Sequence, residues 1–320
     1  MNCIGIDVSK QTLVTYDGKK ERVFPNTTGL AELVSFVRRK GKGVAIVFEP
    51  TSTYSRRLET LCRQERIRCC YLNPRVIPHL REVAQERSKT DRSDAELLYQ
   101  YGQEKAKAEA RLLQRDPIAH ALSAILSCYK AAQKARVTCQ GVLEALRHDP
   151  DTPPELLTEL KEQIVHLKAW EKKELNRAEG VVRADKEASS ALGQLLSICG
   201  VGPVTAITLI GLFRRYPNTN RKQVVALVGL DPVERQSGSS VRGKPRISKR
   251  GSPEIRKLLY EVTLPAARYN PSIKAVYHRL KAKGKPEKVA RIAAARKLLL
   301  MAHAIYKSRE SYNAIKGETT

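Results

Sequence analysis

The stretch "CIGIDVSKQTLVTYDGKKERVF", residues 3–24, decides the fold of the N-terminal part of this chain. Its residues 3–8 form a short apolar run with β-branched side chains, which predicts a buried strand. Asp17 and Gly18 lie between two further strand-like segments in residues 12–24, and this pair is typical of a hairpin turn. We therefore predict an antiparallel meander of three strands at the start of the chain.

Alternating helices and strands follow this meander. Apolar residues at 30–37 recur at the spacing of one helical face. Residues 43–50 and 67–74 read as buried strands separated by a helix, and another helix is predicted to begin near Asp91. A meander followed by such units predicts a mixed sheet flanked by helices, which is the element order of the ribonuclease-H-like fold.

The charge of the chain is high and uneven. Its 320 residues include 58 Lys and Arg against 33 Asp and Glu, a formal net charge of +25, and 42% hydrophobic residues. Residues 188–320 hold 25 basic and 7 acidic side chains, whereas residues 104–187 hold 15 and 14. This excess indicates a polyanionic partner, nucleic acid before membrane. The longest apolar run, near 298–306, is too short to span a bilayer, and the seven cysteines contain no C-x-x-C zinc pattern.

We predict three domains: 1–105, 106–187 and 188–320. The middle one has few turn signals apart from residues 148–155, and its leucines recur at roughly heptad spacing from Leu156 onward. A long helical hairpin, in the form of a coiled coil, is the expected structure. Dimer contacts and an intramolecular bundle both explain its apolar stripe, and the sequence leaves this choice open.

Four carboxylates stand where the predicted sheet would bring them to one edge. Asp7 interrupts an apolar strand, Glu49 stands near the end of another, and Asp91 and Asp94 lie one helical turn apart. Burying an unpaired charge is costly, so the grouping favours a site for divalent cations. Mg²⁺ takes hard oxygen ligands, and a pair of such ions about 4 Å apart can clamp both oxygens of a phosphodiester displacement.

A helix cap is the alternative for Asp91 and Asp94. Ser93 and Glu96 have the S-x-x-E spacing of a capping box, and acids are favoured in a first helical turn. Asp7 and Glu49, which lie in otherwise apolar strands, shift the interpretation toward a metal site. Asp94 is compatible with both roles.

Residues 195–211, "LLSICGVGPVTAITLIG", contain a pair of glycines before a helix. Gly200 and Gly202 precede Pro203, a pattern typical of the turn in a helix–hairpin–helix. Such glycines let backbone amides approach a phosphate, and the next helix N-terminus favours an anion. We therefore predict that both glycines bind nucleic acid. A plain tight turn between helices is the alternative.

The stretch "RQSGSSVRGKPRISKRGSPEIRKLL", residues 235–259, has eight basic residues and one acid. Its first part, residues 235–250, is termed the serine loop below. Interleaved glycines, serines and cations suit phosphate recognition, although a basic linker would have a similar composition. Ordered segments are predicted on both sides, which favours a binding site. The residues predicted to bind nucleic acid are Arg235, Arg242, Lys244, Arg246, Lys249 and Arg250.

The motifs "GIDVSK", "FEPTSTY" and "KTDRSDAELL" resemble the DEDD motifs of the one-ten insertion-sequence family of transposases, whose relatives include Piv-type DNA invertases. The resemblance implies a RuvC-like domain in which Asp7, Glu49, Asp91 and Asp94 are catalytic acids that hold Mg²⁺. A glycine that usually follows the Glu motif is replaced here by Ser52. The serine loop is similar to the C-terminal transposase domain of this family, which implies that Ser237 is the nucleophile.

The resemblance also implies partners. Family members use a structured bridge RNA that pairs with donor and target DNA, and they assemble as dimers and tetramers in which the acid site of one subunit meets the serine of another. It implies a cytoplasmic, nucleoid-associated protein of the bacterial type that recombines DNA through a phosphoserine link. Two other functions remain open: a hydrolytic nuclease such as a junction resolvase, which needs the acids alone, and a non-catalytic nucleic-acid scaffold, which needs neither.

Overall fold

The computed structural model describes residues 2–50, 53–73, 76–83, 90–234, 236–237, 241–242 and 246–312. The chain divides into two compact units, residues 1–114 and 115–320. In its described part, no helix is long and apolar enough to cross a membrane.

The first unit is built on a mixed sheet. Its strands in chain order are Cys3–Val8 (β1), Thr12–Tyr16 (β2), Glu21–Pro25 (β3), Ala45–Phe48 (β4), Arg68–Tyr71 (β5) and Arg111–Leu112 (β6). They lie in the order β3-β2-β1-β4-β5-β6. The first three strands are antiparallel neighbours, and β4 runs parallel to both β1 and β5. The predicted meander and mixed sheet are confirmed, and β6 is a short edge strand that the sequence analysis did not identify.

Helices cover this sheet. They are Leu30–Arg39 (α1), Arg56–Gln64 (α2), Ile77–Val83 (α3) and Asp91–Glu109 (α4). One apolar core joins α1 and α2 to strand residues such as Ile4, Ile46 and Phe48. A second core joins Leu98 of α4 to Val47 of β4. Since both cores include residues of β4, the central strands are buried, as their apolar sequences predict.

The second unit is mainly helical. Its helices are Pro117–Arg147 (α5), Pro154–Arg183 (α6), Lys186–Leu196 (α7), Pro203–Arg215 (α8), Arg221–Val228 (α9), Pro253–Tyr269 (α10), Pro271–Ala282 (α11) and Glu287–Ser308 (α12). The predicted helical hairpin corresponds to α5 and α6. The end of the hairpin opposite its turn shares a core with the later helices, since Leu122 and Val182 pack in the same apolar cluster as Ile207 and Leu298. The finer division into domains 106–187 and 188–320 stays a prediction.

One short strand precedes the serine loop, and others lie within it. Pro232–Val233 (β7) pairs with Arg246–Ile247 (β10), and Gln236–Ser237 (β8) pairs with Val241–Arg242 (β9), both antiparallel. The base of the loop is fixed to the end of α9, because the backbone N–H of Lys249 donates to the carbonyl of Gly229 at 3.2 Å and that of Ser252 to Leu227 at 2.9 Å. The segments on both sides of the loop, α9 and α10, are ordered helices, as expected from the sequence.

Candidate functional site

Strand register and helix packing bring the four predicted acids to one end of the sheet. Ile6 of β1 is paired with Phe48 of β4, so Asp7 and Glu49 follow at the same end of two neighbouring parallel strands. Asp91 and Asp94 occupy the first turn of α4, the helix that packs across β1. The side chains of Asp7, Glu49 and Asp94 are half-buried, and Asp91 is exposed.

Electrostatics show that these carboxylates lie close to one another. Burial, and then the charges of Asp91, Asp94 and Glu49 in that order of effect, together raise the pKa of Asp7 from its ordinary value of 3.8 to about 6. A hydrogen bond from the Val8 backbone opposes the rise. Two acids of α4 and one that follows β4 therefore act on Asp7, and a divalent cation would relieve this excess of negative charge.

The donor set fits such an ion chemically, but its side chains are not arranged around one. In the part of the chain that the structure describes, no three Asp, Glu, His or Cys side chains converge on a point that could hold a metal ion. The carboxylate of Asp94 instead pairs with the guanidinium of Arg81 on α3. The binding of Mg²⁺ by the four acids stays a prediction, and Arg81 is a residue beside them that the sequence did not reveal.

The cap of α4 differs from the one expected. The N-cap is Thr90, whose side chain accepts from the backbone N–H of Ser93 at 3.1 Å, while the hydroxyl of Ser93 accepts from the backbone N–H of Thr90 at 3.1 Å. The expected box between Ser93 and Glu96 is therefore wrong, and Glu96 accepts from Arg92 at 3.0 Å instead. Thr90 and Ser93 together provide the hydrogen bonds that cap the start of α4. Neither Asp91 nor Asp94 is therefore needed as the cap.

Gly5 allows α4 to reach the acids on the sheet. A Cβ at this position would overlap the carbonyl oxygen of Ala95 and lie 2.5 Å from the backbone nitrogen of Tyr99. The backbones of β1 and α4 therefore approach more closely than any side chain at residue 5 would permit. This contact sets the position of Asp94 relative to Asp7. The only signal in the sequence was a glycine within a strand, which is typical of a close backbone approach.

The serine loop is described in part. Ser237 lies in β8, where it is paired with Val241, and Arg242 follows in β9. Arg246, Lys249 and Arg250 are exposed. Of the other predicted residues, Arg235 and Lys244 lie outside the described residues, as does Ser52 of the first unit.

The two glycines before α8 have different surroundings. Gly200 has a positive φ of 96°, and a Cβ there would lie 2.9 Å from Ala266 of α10. This glycine therefore allows the turn to pack against α10. Gly202 is the exposed N-cap of α8, and a Cβ there would meet no atom within 4 Å. Only Gly202 leaves room for a ligand, and the helix–hairpin–helix stays a prediction.

Two segments of the chain match models of known protein families. Residues 4–146 match a DEDD-type model described as a transposase, and residues 193–278 match the model described as the transposase IS116/IS110/IS902 family. The chain is an IS110-type transposase. It is accordingly an enzyme of DNA recombination and transposition, and its DEDD domain indicates the use of a divalent metal.

The IS110-type transposase is also similar along its length to two curated proteins. These are the pilin gene-inverting proteins of Moraxella lacunata and Moraxella bovis. Each is 25% identical, over 336 and 334 residues respectively, and each alignment covers 97% of both chains.

The matched segments of the transposase contain every predicted site residue. The four acids lie in the first segment, and the second contains the glycine pair before α8 and the whole serine loop. Residues 147–192, between them, hold the turn of the hairpin and α6. The family match thus extends over the same two regions that the sequence analysis selected.

Proposed function

We propose that this transposase cleaves and rejoins DNA strands of an insertion sequence through a covalent bond to Ser237, assisted by Mg²⁺ at the four acids. The observation that carries the proposal is the meeting of four carboxylates at one end of the sheet, where burial and then their mutual repulsion raise the pKa of Asp7 to about 6. Such an arrangement destabilises the folded chain unless a cation or a proton neutralises it. Strongly perturbed carboxyl groups of this kind are typical of functional sites.

Asp7, Glu49, Asp91 and Asp94 would hold the ion. When bound, Mg²⁺ would polarise the scissile phosphate and stabilise the charge that develops on it. The protein contributes the positions of the ligands. The parallel pairing of β1 and β4 places two carboxylates side by side, and the close packing of α4 at Gly5 brings the other two toward them.

Ser237 would supply the nucleophile. Its Oγ forms a bond to phosphorus while the bond from phosphorus to one deoxyribose oxygen breaks. Because the serine loop contains no histidine, a carboxylate would take the hydroxyl proton of Ser237 and return it to the departing oxygen, which leaves as a hydroxyl. The phosphoserine link conserves the energy of the phosphodiester, so that a strand can be resealed without ATP.

Cations near the serine loop would position the DNA. Arg246, Lys249 and Arg250 are exposed, and within the described residues none of them forms an ion pair. Arg235, Arg242 and Lys244 belong to the same proposed phosphate-binding set, and the exposed backbone at Gly202 would add a contact at the start of α8.

A guide RNA and further copies of the chain are the proposed partners. The net positive charge of residues 188–320 supports binding of a polyanion, and RNA and DNA both fit it. Self-association is supported by large apolar side chains exposed on the hairpin, among them Val137 at 56%, Val165 at 64% and Trp170 at 42%. In a dimer or tetramer, the acids of one copy would meet Ser237 of another. We place the assembly in the bacterial cytoplasm, associated with the nucleoid.

The test is to trap the covalent intermediate. Protein, guide RNA and labelled donor and target DNA are incubated with Mg²⁺, denatured and separated, and the attached residue is located by mass spectrometry. We expect label on Ser237, its loss in Ser237→Ala, and its persistence in Ser239→Ala and Ser240→Ala. DNA that is cut without attachment to protein would instead indicate a hydrolytic nuclease, and unchanged function without metal would indicate a scaffold.

A further inference from the structure

A cavity of about 720 Å³ lies within the second unit, bounded by α5, α8, α9 and the start of α10. This volume falls in the range of about 300–1,000 Å³ that suits a drug-sized ligand, and it is too small for a segment of duplex. The wall includes Leu122 and Leu126 of α5, and Leu212 of α8, all buried. The interior therefore offers apolar surface for a flat, partly apolar group.

Cations stand at the edge of this apolar interior. Arg215 and Arg250 line the cavity, are exposed and form no ion pair within the described residues. Lys130 also lines it and pairs with Glu254. Tyr216, which is 39% exposed, lines the cavity as well, with the guanidinium of Arg215 at 5.9 Å from its ring centroid. A ligand that combines negative charge with a flat ring matches this lining.

Gly211 keeps the cavity open. It lies in the middle of α8, lines the cavity, and a Cβ on it would make only ordinary contacts, at 3.8 and 3.9 Å, with Leu122. Neither its backbone nor its packing requires a glycine there, and glycine destabilises a helix interior by about 1 kcal/mol relative to alanine. A larger side chain at this position would project into the cavity. Substitution of Gly211 can therefore be used to fill it.

The cavity adjoins the base of the serine loop. Gly251 and Ser252 line it together with Leu227, and the backbone N–H of Ser252 donates to the carbonyl of Leu227 at 2.9 Å. A side chain at residue 251 would overlap the Leu227 backbone, so the loop leaves the cavity wall at a fixed point. Nucleic acid held in the cavity would thus lie beside the base of the serine loop.

We propose that this cavity binds one or two unpaired nucleotides of the DNA strand that Ser237 attacks, with bases against the apolar wall and Tyr216, and phosphates at Arg215 and Arg250. This inference rests on the proposed function, since a strand that is cut and exchanged must be unpaired near the break. Stacking on protein side chains is worth about 1–3 kcal/mol per base, or about 5-fold to about 150-fold in affinity.

The experiment measures binding by the full chain in EDTA, where the cleavage chemistry plays no part. The probes are fluorescein-labelled deoxythymidine strands of about ten nucleotides and a labelled duplex, with 2-aminopurine in the single strand to report base environment. We expect Gly211→Phe and Tyr216→Ala each to weaken single-strand binding at least about fivefold and to abolish the 2-aminopurine change. Duplex affinity should stay within about twofold, because neither substitution removes a cation that contacts phosphate.

Gly211→Ala is the matched control and should bind both probes as the parent chain does. Unchanged single-strand affinity in both cavity variants would overturn the proposal, as would equal losses for single strand and duplex. A preference for RNA of matching sequence would overturn its assignment to the DNA strand, and a changed oligomer mass in Gly211→Phe would assign the cavity to a second copy. These outcomes do not depend on whether Ser237 is the nucleophile. If that part of the proposed function is wrong, the covalent adduct between DNA and Ser237 will be missing.

Discussion

The guanidinium of Arg81 forms an ion pair with the carboxylate of Asp94, and the two side chains are only 19% and 12% exposed. The Nε of Arg81 is itself buried and has no hydrogen-bond partner in the part of the chain that the structure describes. One cation of the protein therefore already neutralises part of the acid cluster. Arg81 and a divalent metal would compete for Asp94, because both are attracted to the same charge.

We expect Arg81→Gln to bind divalent metal about tenfold more tightly, a change of about 1.4 kcal/mol, since the amide leaves Asp94 free. Isothermal titration with Mg²⁺ or Mn²⁺ measures this without any DNA. Arg92→Gln is the matched control, because Arg92 lies on α4 but pairs with Glu96 and Glu21. Equal or weaker metal binding by Arg81→Gln would show that Arg81 supports the site and does not compete for it.

Gly5→Ala should destabilise the first unit by about 1–3 kcal/mol, the usual cost of an overpacked core. The added Cβ meets the backbone of α4 at Ala95 and Tyr99, which is less able to yield than a side chain. Urea unfolding of the purified chain measures the loss. Gly141→Ala in α5, where a Cβ meets no atom within 4 Å, should be neutral or slightly stabilising. A midpoint for Gly5→Ala equal to that of Gly141→Ala would contradict the close packing of β1 and α4.

The stability of the metal-free chain should fall between about pH 4 and about pH 6. Burial and the neighbouring carboxylates raise the pKa of Asp7 from 3.8 to about 6, so in this interval the folded chain holds a proton that the unfolded chain releases. The stabilisation is complete below the ordinary pKa and is lost as the pH rises through about 6, by at most about 3 kcal/mol. Unfolding in a chelating buffer across this interval measures it.

Asp7→Asn should remove this pH dependence, because the amide does not ionise. Glu159→Gln, which changes an exposed acid of α6, should retain it. A slope that persists in Asp7→Asn would assign the proton to another group of the protein.

A cationic surface around α11 should contribute to the salt dependence of nucleic-acid binding. Residues 268–289 hold seven Lys and Arg and one acid, Glu287, which pairs with Lys281 at 3.4 Å. Lys283 and Lys285 are exposed and form no ion pair within the described residues. Changing both to Gln should weaken duplex binding. It should also reduce the magnitude of the slope of log affinity against log salt concentration by up to about 2, about 1 for each lost phosphate contact.

Fluorescence anisotropy at several salt concentrations measures that slope. The control changes Lys161 and Lys168 to Gln, which are exposed on α6 and remove the same charge from the hairpin. An equal change in slope for both pairs would show that net charge alone, and not the α11 surface, determines binding.

Local patterns made much of the fold predictable. The strands predicted at residues 3–8 and 43–50 and the turn at Asp17 and Gly18 each follow from neighbouring residues. All three are present, and the second strand is shorter than predicted, Ala45–Phe48. The capping box of Ser93 and Glu96, which was the alternative to a metal site, is wrong. Thr90 and Ser93 have the same spacing three residues earlier, and their hydrogen bonds form the box observed at the start of α4.

The sequence by itself determined the order of the first five strands and the positions of the four carboxylates along the chain, because periodicity and charge within apolar runs are local properties. Only the tertiary structure decided that Arg81 forms an ion pair with Asp94 and that α4 contacts β1 at Gly5. It also decided that Gly211, Arg215 and Arg250 line one cavity. Each of these relationships joins residues on different elements. They depend on which backbones approach closely enough to pack, and no pattern of neighbours along the chain specifies that distance.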